Sequence, residues 1–565
     1  MVGEAEEELV AEFSGVGVSP GRAVARLMHM PAPVAEPSPD DRLAPDADVA
    51  AEQERIATAA SQVRNDLDAR AERAQGDGKA VLEATALMAA DPTLVTAAQQ
   101  KVAGGIPPER AVWDAAAEVA DTLAALGGYM AERTRDVADV RDRIVAALSG
   151  LPAPGVPDSS EPYVLGAVDL APADTATLDP ATCVALVTAE GGPTSHTAIL
   201  ARALGLPAVV AAPGVLDVPA GTLVLVDGAA GIVGVDPTAA EIEQVRAVAA
   251  RVRSFDGHGR TADGHRVQLL ANVGDPKGVA AAVEANAEGV GLFRTEFCFL
   301  GHTDAPTVDE QVAAYRAVLA AFPGKKVVVR TLDAGADKPL PFLNPAAEAN
   351  PALGVRGLRT SVRFPSVLDD QLTAIAQAAG AEQATVWVMA PMVATAAEAA
   401  EFVQRCAAAG LETAGVMVEV PGAAISAVHV LESARFASLG TNDLTQYTMG
   451  ADRLLGELAA LNDPWQPSVL RLVELTCRAG VERDRPVGVC GEAAADPALA
   501  CVLVGLGVSS LSMTPRSIPD VADVLLATTH EHCVHLASMA VDAPGAAEAR
   551  AAVRAELPVL AELGL

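Results

Sequence analysis

The stretch GGPTSHTAILAR, residues 191–202, places one imidazole, His196, behind two glycines, a proline and two hydroxyl residues, where a helix-forming run begins. Thr194 and Ser195 are good helix-capping residues, and TAILARALG continues with helical character. A helix N-terminus offers unpaired N–H groups and the positive end of the helix dipole, both of which favour a phosphate. Gly191 and Gly192 let a bulky partner approach the backbone. The pattern suits an exposed imidazole with an anion cradle beside it, able to carry a phosphoryl group on nitrogen. The other chemistry open to such a histidine is general-base work, for which no nearby nucleophile is evident.

A second set of chemical residues lies between about residue 264 and the C-terminus. Eight apolar, β-rich runs alternate there with helical segments: VQLLANV, GVGLFRTEF, KVVVRTLDA, GVRGLRT, VWVMAPM, GVMVEV, FASLGTNDL and PVGVCGE. This alternation predicts a (β/α)8 TIM barrel rather than an open doubly wound sheet, because polar residues close nearly every run and a barrel builds its active site at the C-terminal ends of its strands. Arg294, Thr295 and Glu296 end the second run, and Arg330, Asp333, Asp337 and Lys338 end the third. The fourth carries Arg356 and Arg359, the sixth ends in Glu419, and the seventh in Gly440, Thr441, Asn442 and Asp443, with Arg453 farther on. The eighth ends in Cys490, Gly491 and Glu492.

The chain has 565 residues and a formal net charge of -33. So acidic a protein repels nucleic acid and anionic membrane, and any anionic substrate needs a local island of Arg and Lys. The rim arginines form such an island, suited to bidentate binding of phosphate or carboxylate. Glu419 and Asp443 could hold a hard divalent cation such as Mg²⁺, with waters and substrate oxygens completing its shell. A buried cysteine is usually a small hydrophobe, but Cys490 ends a run on the same rim, where acid–base work is the alternative.

The length suggests about three or four folding units at roughly 100–200 residues each. With 51% hydrophobic residues and only 3% aromatic ones, the core must be aliphatic. Seven scattered cysteines without a CxxC argue against a disulfide framework or zinc site and for a reducing, cytoplasmic setting. The acidic start MVGEAEEELVAEF lacks the basic region of a signal peptide, and no run reads as a membrane span. Residues 8–28 predict one or two short strands, 32–46 a linker, and 48–148 a bundle of about four helices. Residues 163–235 predict a small α/β unit and 237–254 a linking helix with Pro237 near its start.

The motifs together carry a resemblance. GGPTSHTAILAR resembles the phosphohistidine signature of the phosphoenolpyruvate-utilising enzymes. GVGLFRTEF, VVRTLDAGADK, NPALGVRGLR, GVMVEVPGAA, SLGTNDLTQYTMGADR and GVCGEAAAD resemble motifs of one branch, the phosphoenolpyruvate–protein phosphotransferases (Enzyme I) of bacterial sugar phosphotransferase systems. The match covers nearly the whole chain in order and spacing. It implies that phosphoenolpyruvate, bound in the barrel with Mg²⁺, phosphorylates His196 and leaves pyruvate, after which the group passes to a histidine of the carrier protein HPr. By motif, Glu419 and Asp443 would hold the metal. Arg294, Arg330, Asn442, Asp443 and Arg453 would bind substrate, with Arg356 and Lys338 in support, and Cys490 would protonate the enolate.

The resemblance also implies an architecture. Residues 1–30 and 150–235 would form the phosphohistidine domain, with 31–149 inserted as the HPr-binding block. Residues 236–260 would be a linker that swivels, and 261–565 the barrel, through which two copies would pair. Departures fall at Pro193 and Ala138, where Arg is expected, and near Thr85, where His is expected. The last two lie in the docking block and bear on the carrier rather than on the chemistry. The related dikinases and synthases need an ATP-binding module ahead of the histidine unit, and the residues before it here read mostly as bundle with no Gly-rich nucleotide loop. A non-catalytic scaffold predicts a broken site, whereas His196, Glu419, Asp443 and Cys490 are all present.

Overall fold

The computed structural model describes residues 12–19, 21–31, 34–73, 85–126, 134–157, 159–170, 178–192, 196–249, 253–274, 276–300, 302, 304–335, 340, 342–343, 348–453 and 455–565. The chain divides into two compact units, Met1–Val245 and Arg246–Leu565.

The first unit is built on a mixed eight-stranded sheet. Its strands are β1 (Glu12–Ser14), β2 (Val16–Ser19), β3 (Arg22–His29), β4 (Tyr163–Ala167), β5 (Cys183–Thr188), β6 (Ala208–Val210), β7 (Leu223–Asp227) and β8 (Ile232–Val235). Their spatial order is β1-β8-β7-β3-β4-β5-β6-β2. Residues 12–29 give three strands where the sequence suggested one or two. Gly21, at φ +116, provides the left-handed turn between the second and third.

Strands β3 and β4 pair in parallel, and a helical block intervenes between them that includes Val49–Arg73, Pro92–Ala103, Pro108–Leu126 and Thr134–Ser149. Ile56, Ala60, Val63 and Leu67 recur on one face of the first helix and are buried with Ala98, Val102, Val112, Ala115, Val140 and Ile144. The second helix starts where Asp91 accepts from the Thr93 amide at 2.7 Å and Pro92 takes the first turn. The linking helix runs Ala239–Ala249, opened by Thr238 and Glu241, whose side chains cap each other's backbone amides.

The second unit is a closed barrel of parallel strands: β9 (Gln268–Val273), β10 (Gly289–Arg294), β11 (Lys326–Arg330), β12 (Thr385–Ala390), β13 (Ala414–Val418), β14 (Ala437–Leu439), β15 (Val487–Val489) and β16 (Ser510–Met513). The barrel is as expected, but one strand assignment is corrected. GVRGLRT is no strand: Gly357–Arg359 is a single 3-10 turn in the segment after β11. Gly357 sits at φ +57, and a β-carbon there would lie 2.9 Å from Met392 Cβ, so the chain turns where its Val/Leu alternation suggested extension.

The strand that closes the barrel is instead SLSM, pairing Ser510 with Gln268 and Met513 with Ala271. Its serines face the barrel interior while Leu511 and Met513 enter the surrounding aliphatic core, which makes it too polar to stand out as a buried strand. Trp465 is fully buried in the outer helical layer, its Nε1–H donating to Asp496 Oδ2 at 2.9 Å. Trp465→Ala is expected to destabilise the barrel unit by about 3–5 kcal/mol, read as a lower urea midpoint. Among the described residues all seven cysteines are free and buried, and no helix is long and apolar enough to cross a membrane.

Candidate active site at the barrel rim

Because the strands are parallel, their C-terminal ends share one rim, and five of them deliver polar side chains to it. Strand β10 ends on Arg294 and β11 on Arg330; Glu419 follows β13, and Cys490 follows β15. After β14, Asn442 and Asp443 occupy the first turn of the helix Thr441–Met449. The rim thus gathers Arg294, Arg330, Glu419, Asn442, Asp443 and Cys490. Arg356 and Arg453 join through ion pairs to Asp443 at 3.1 and 3.7 Å. Lys338 lies outside the described residues.

Arg330 is buried. Its guanidinium donates to Glu296 Oε1 at 3.0 Å and pairs with Asp333 Oδ2 at 3.2 Å. Burial opposes its charge, but Glu296 and Asp333 outweigh that and hold its pKa above the ordinary value. Its buried Nε has no hydrogen-bond partner among the described residues. Arg294 is its neighbour across the β10–β11 ladder, exposed, and in no ion pair among the described residues. Each of the two arginines thus keeps donor capacity that no acceptor among the described residues uses.

The carboxylates are the converse. Arg356, 1% exposed, donates to Asp333 Oδ2 at 3.2 Å and to Asp443 Oδ1 at 3.1 Å. Glu419 is also buried but makes no ion pair among the described residues. Its Oε2 accepts from the Met392 amide at 2.9 Å, a donor held in place by a left-handed backbone at φ +59. Burial first, then Asp333 and Asp443, push the Glu419 carboxyl up to about 8 against the pull of Arg330. An under-neutralised buried carboxylate beside Asp443 is the donor chemistry that a hard divalent cation takes.

Among the described residues no three His, Cys, Asp or Glu side chains form a ready metal cage, so waters and substrate oxygens would complete such a shell. Gly440 gives Glu419 its space: a β-carbon there would lie 2.6 Å from Glu419 Cγ. Gly440→Ala is accordingly expected to reduce activity by about 10²-fold through misplacement of that carboxylate. A steady-state assay beside an unchanged unfolding midpoint checks it.

Asn442 is locked to the next loop, its Nδ2 donating to Glu492 Oε1 at 3.1 Å and its Oδ1 accepting from the Glu492 amide at 3.0 Å. Cys490 is 2% exposed, with Sγ 3.6 Å from the Leu439 carbonyl. Burial pushes its thiol up to about 11, although the nearby Ser438 favours the thiolate. The thiol is therefore protonated at neutral pH, the state of an acid rather than of a nucleophile.

Two supports were not foreseen from sequence. Gln371 is buried on the helix Pro365–Ala381. Its Nε2 donates to Thr295 Oγ1 at 3.0 Å, its Oε1 accepts from the Leu332 amide at 2.9 Å, and Thr295 Oγ1 donates to the Arg330 carbonyl at 2.9 Å. A lone amide among Leu368, Leu372, Ile375 and Ala378 was the available signal. The Met392 amide had none, because backbone donors carry no sequence mark.

In the first unit, His196 is the first residue of the helix His196–Leu204. Next to it, Thr197 Oγ1 donates to Asp169 Oδ1 at 2.7 Å and accepts from the Leu170 amide at 3.2 Å, tying the helix start to the loop after β4. Gly191 takes φ +94. Pro193 and the expected capping residues Thr194 and Ser195 lie outside the described residues.

Comparison with known proteins bears on the whole chain. Residues 14–133 match the N-terminal domain of PEP-utilising enzymes, 159–231 their mobile domain, and 249–530 their PEP-binding domain. The phosphoenolpyruvate-protein phosphotransferase of Streptomyces coelicolor is 53% identical over 549 residues, spanning 96% of this chain and 98% of that protein. The chain belongs to the phosphoenolpyruvate–protein phosphotransferase family. A family member of Haloferax volcanii is 39% identical over 95% of this chain and 98% of its own length. A multiphosphoryl transfer protein of Xanthomonas campestris is 41% identical over 84% of this chain, which covers 58% of that protein. As a member of the family, the chain is an enzyme of phosphoenolpyruvate-dependent phosphoryl transfer.

Proposed function

We propose that the barrel rim takes the phosphoryl group from phosphoenolpyruvate, that His196 receives it, and that a histidine of the carrier HPr accepts it next, making this the first step of a sugar phosphotransferase system. The observation that carries the reading is the charge arrangement at one rim. Arg294 and the buried Arg330 have donors to spare, while Glu419 is buried without an ion pair among the described residues. An anion and a divalent cation bound together satisfy both.

Phosphoryl transfer depends mainly on positioning and on neutralising anionic oxygens. Arg294, Arg330 and Arg453 bind the phosphate and carboxylate of the substrate. Arg356 holds Asp333 and Asp443 in register, Asn442 orients the substrate, and Lys338 adds a further cation. Glu419 and Asp443 are the ligands of the cation, taken as Mg²⁺. When bound, that ion neutralises charge on the phosphoryl and enolate oxygens. Cys490 gives its proton to the methylene carbon as pyruvate leaves. At a helix start, backbone N–H groups and the helix dipole favour the phosphate carried by His196.

The deciding experiment incubates the protein with phosphate-labelled phosphoenolpyruvate and Mg²⁺, first alone and then with HPr. Acid-labile label on His196 that leaves on addition of HPr is the expected result; label that appears only with ATP, or nowhere, overturns the reading. Glu419→Ala is expected to remove the response of turnover to added Mg²⁺. A normal Mg²⁺ titration of that variant would move the metal site elsewhere.

A further inference from the structure

The barrel interior holds a second polar site, at the N-terminal ends of its strands. A cavity of about 20 Å³, room for about one water, is lined by Lys326, Trp387, Ser438, Ser510 and Ser512 among others. Side chains alternate along a strand, so Lys326, Val328 and Arg330 of β11 share the interior face. The ammonium stands at the floor and the guanidinium at the mouth. Between them lies an apolar layer of Leu292, Val328, Met389, Met417 and Phe436, and Cys490 is part of that layer.

Two serines of the cavity lead from it toward Cys490. Ser438 lines the cavity on β14, one pleat below Cys490 at the end of the neighbouring β15, and its nearness favours the thiolate. Ser512 lines it too, donating to Asn272 Oδ1 at 2.6 Å, while the Asn272 amide donates to the Cys490 carbonyl at 3.1 Å. Lys326 contacts Gln268 Oε1 at 2.5 Å, lies 4.8 Å from the centroid of Trp387, and makes no ion pair among the described residues. Burial, with help from the charge of Arg266, brings its amine down to about 8, so it exchanges a proton readily near neutrality.

Once Cys490 has protonated the enolate, its thiolate needs a proton before the next turnover. We propose that this proton arrives from beneath, through Ser438 and the cavity at the barrel floor, with Lys326 as its local store. The S–H bond of Cys490 re-forms as the O–H bond of Ser438 breaks. Ser438 takes a proton from a cavity water, that water takes one from the Lys326 ammonium, and the neutral amine regains it from solvent. Ser438 acts through Cys490 and is a positioning residue. The inference rests on Cys490 being the acid.

Rapid-quench measurement of pyruvate, with HPr supplied so that turnover continues, tests it on the full chain. The first turnover uses the proton already on the resting thiol; later ones need the relay. Ser438→Ala is expected to form the first equivalent of pyruvate at the normal rate and then to slow by about tenfold or more, with the KM for phosphoenolpyruvate unchanged. Lys326→Met is expected to give the same burst, and Ser438→Thr to restore steady turnover. A structural role for Ser438 would slow the first turnover as well, and that outcome overturns the proposal. So does steady turnover at the normal rate in either Ser438→Ala or Lys326→Met. Cys490→Ala separates the two ideas. If it forms pyruvate normally, the acid assignment fails and the relay with it. If it is inactive while Ser438→Ala turns over normally, only the relay fails.

Discussion

His196→Ala is expected to take up no label from phosphoenolpyruvate and to pass none to a carrier. The loss is total because, on the proposed reading, the histidine is the covalent station of the reaction: without a nitrogen nucleophile there, the two half-reactions have no shared intermediate. The chain has eight other histidines, and none follows a comparable Gly-Gly-Pro-Thr-Ser run. Substrate affinity resides in the barrel, so the variant should still bind phosphoenolpyruvate and show the rise in melting temperature that a ligand of the folded state produces. Scintillation counting after gel separation gives the first quantity and thermal unfolding the second. Label retained by the variant on the same domain would sink the assignment.

Cys490→Ser is expected to lower pyruvate formation by about 10²- to 10⁴-fold, the range for removing a positioned general acid, while phosphoenolpyruvate binding changes by about twofold at most. Serine matches the thiol in shape, so the rim arginines and Glu419 keep their places. Its hydroxyl is a far weaker acid than a thiol whose pKa stands at about 11. Single-turnover kinetics and an equilibrium binding titration separate the two effects. Equal losses in both would mean that the cysteine only fills space at the end of β15.

The barrel was legible because its strands are buried runs followed at once by charged residues, as a fold with its active site at the strand ends requires. The rim residues were legible for the same reason. What escaped was set by contacts across long stretches of chain. The run around Arg356 mimics a strand locally, but its guanidinium is committed to Asp443, 87 positions away, and Gly357 turns the backbone. The closing strand SLSM escaped because a barrel floor lined by serines does not look apolar. Gln371 was visible as an oddity in an apolar helix face, but its partners Thr295 and Leu332 could not be paired with it beforehand.

The insertion of a helical block between β3 and β4 has a consequence for how the chain comes off the ribosome. The sheet pairs His29 with Gly166 and Glu12 with Gly234, so its ladders close loops that contain the whole helical block. The helices meet mostly their own neighbours in sequence, and such low-order contacts form early, while long loop closures come late. A nascent chain that has emerged through Ser149 would therefore carry a packed bundle with its first three strands still waiting for partners. Once packed, the bundle shortens the effective span between β3 and β4 and so lowers the entropic barrier to joining them.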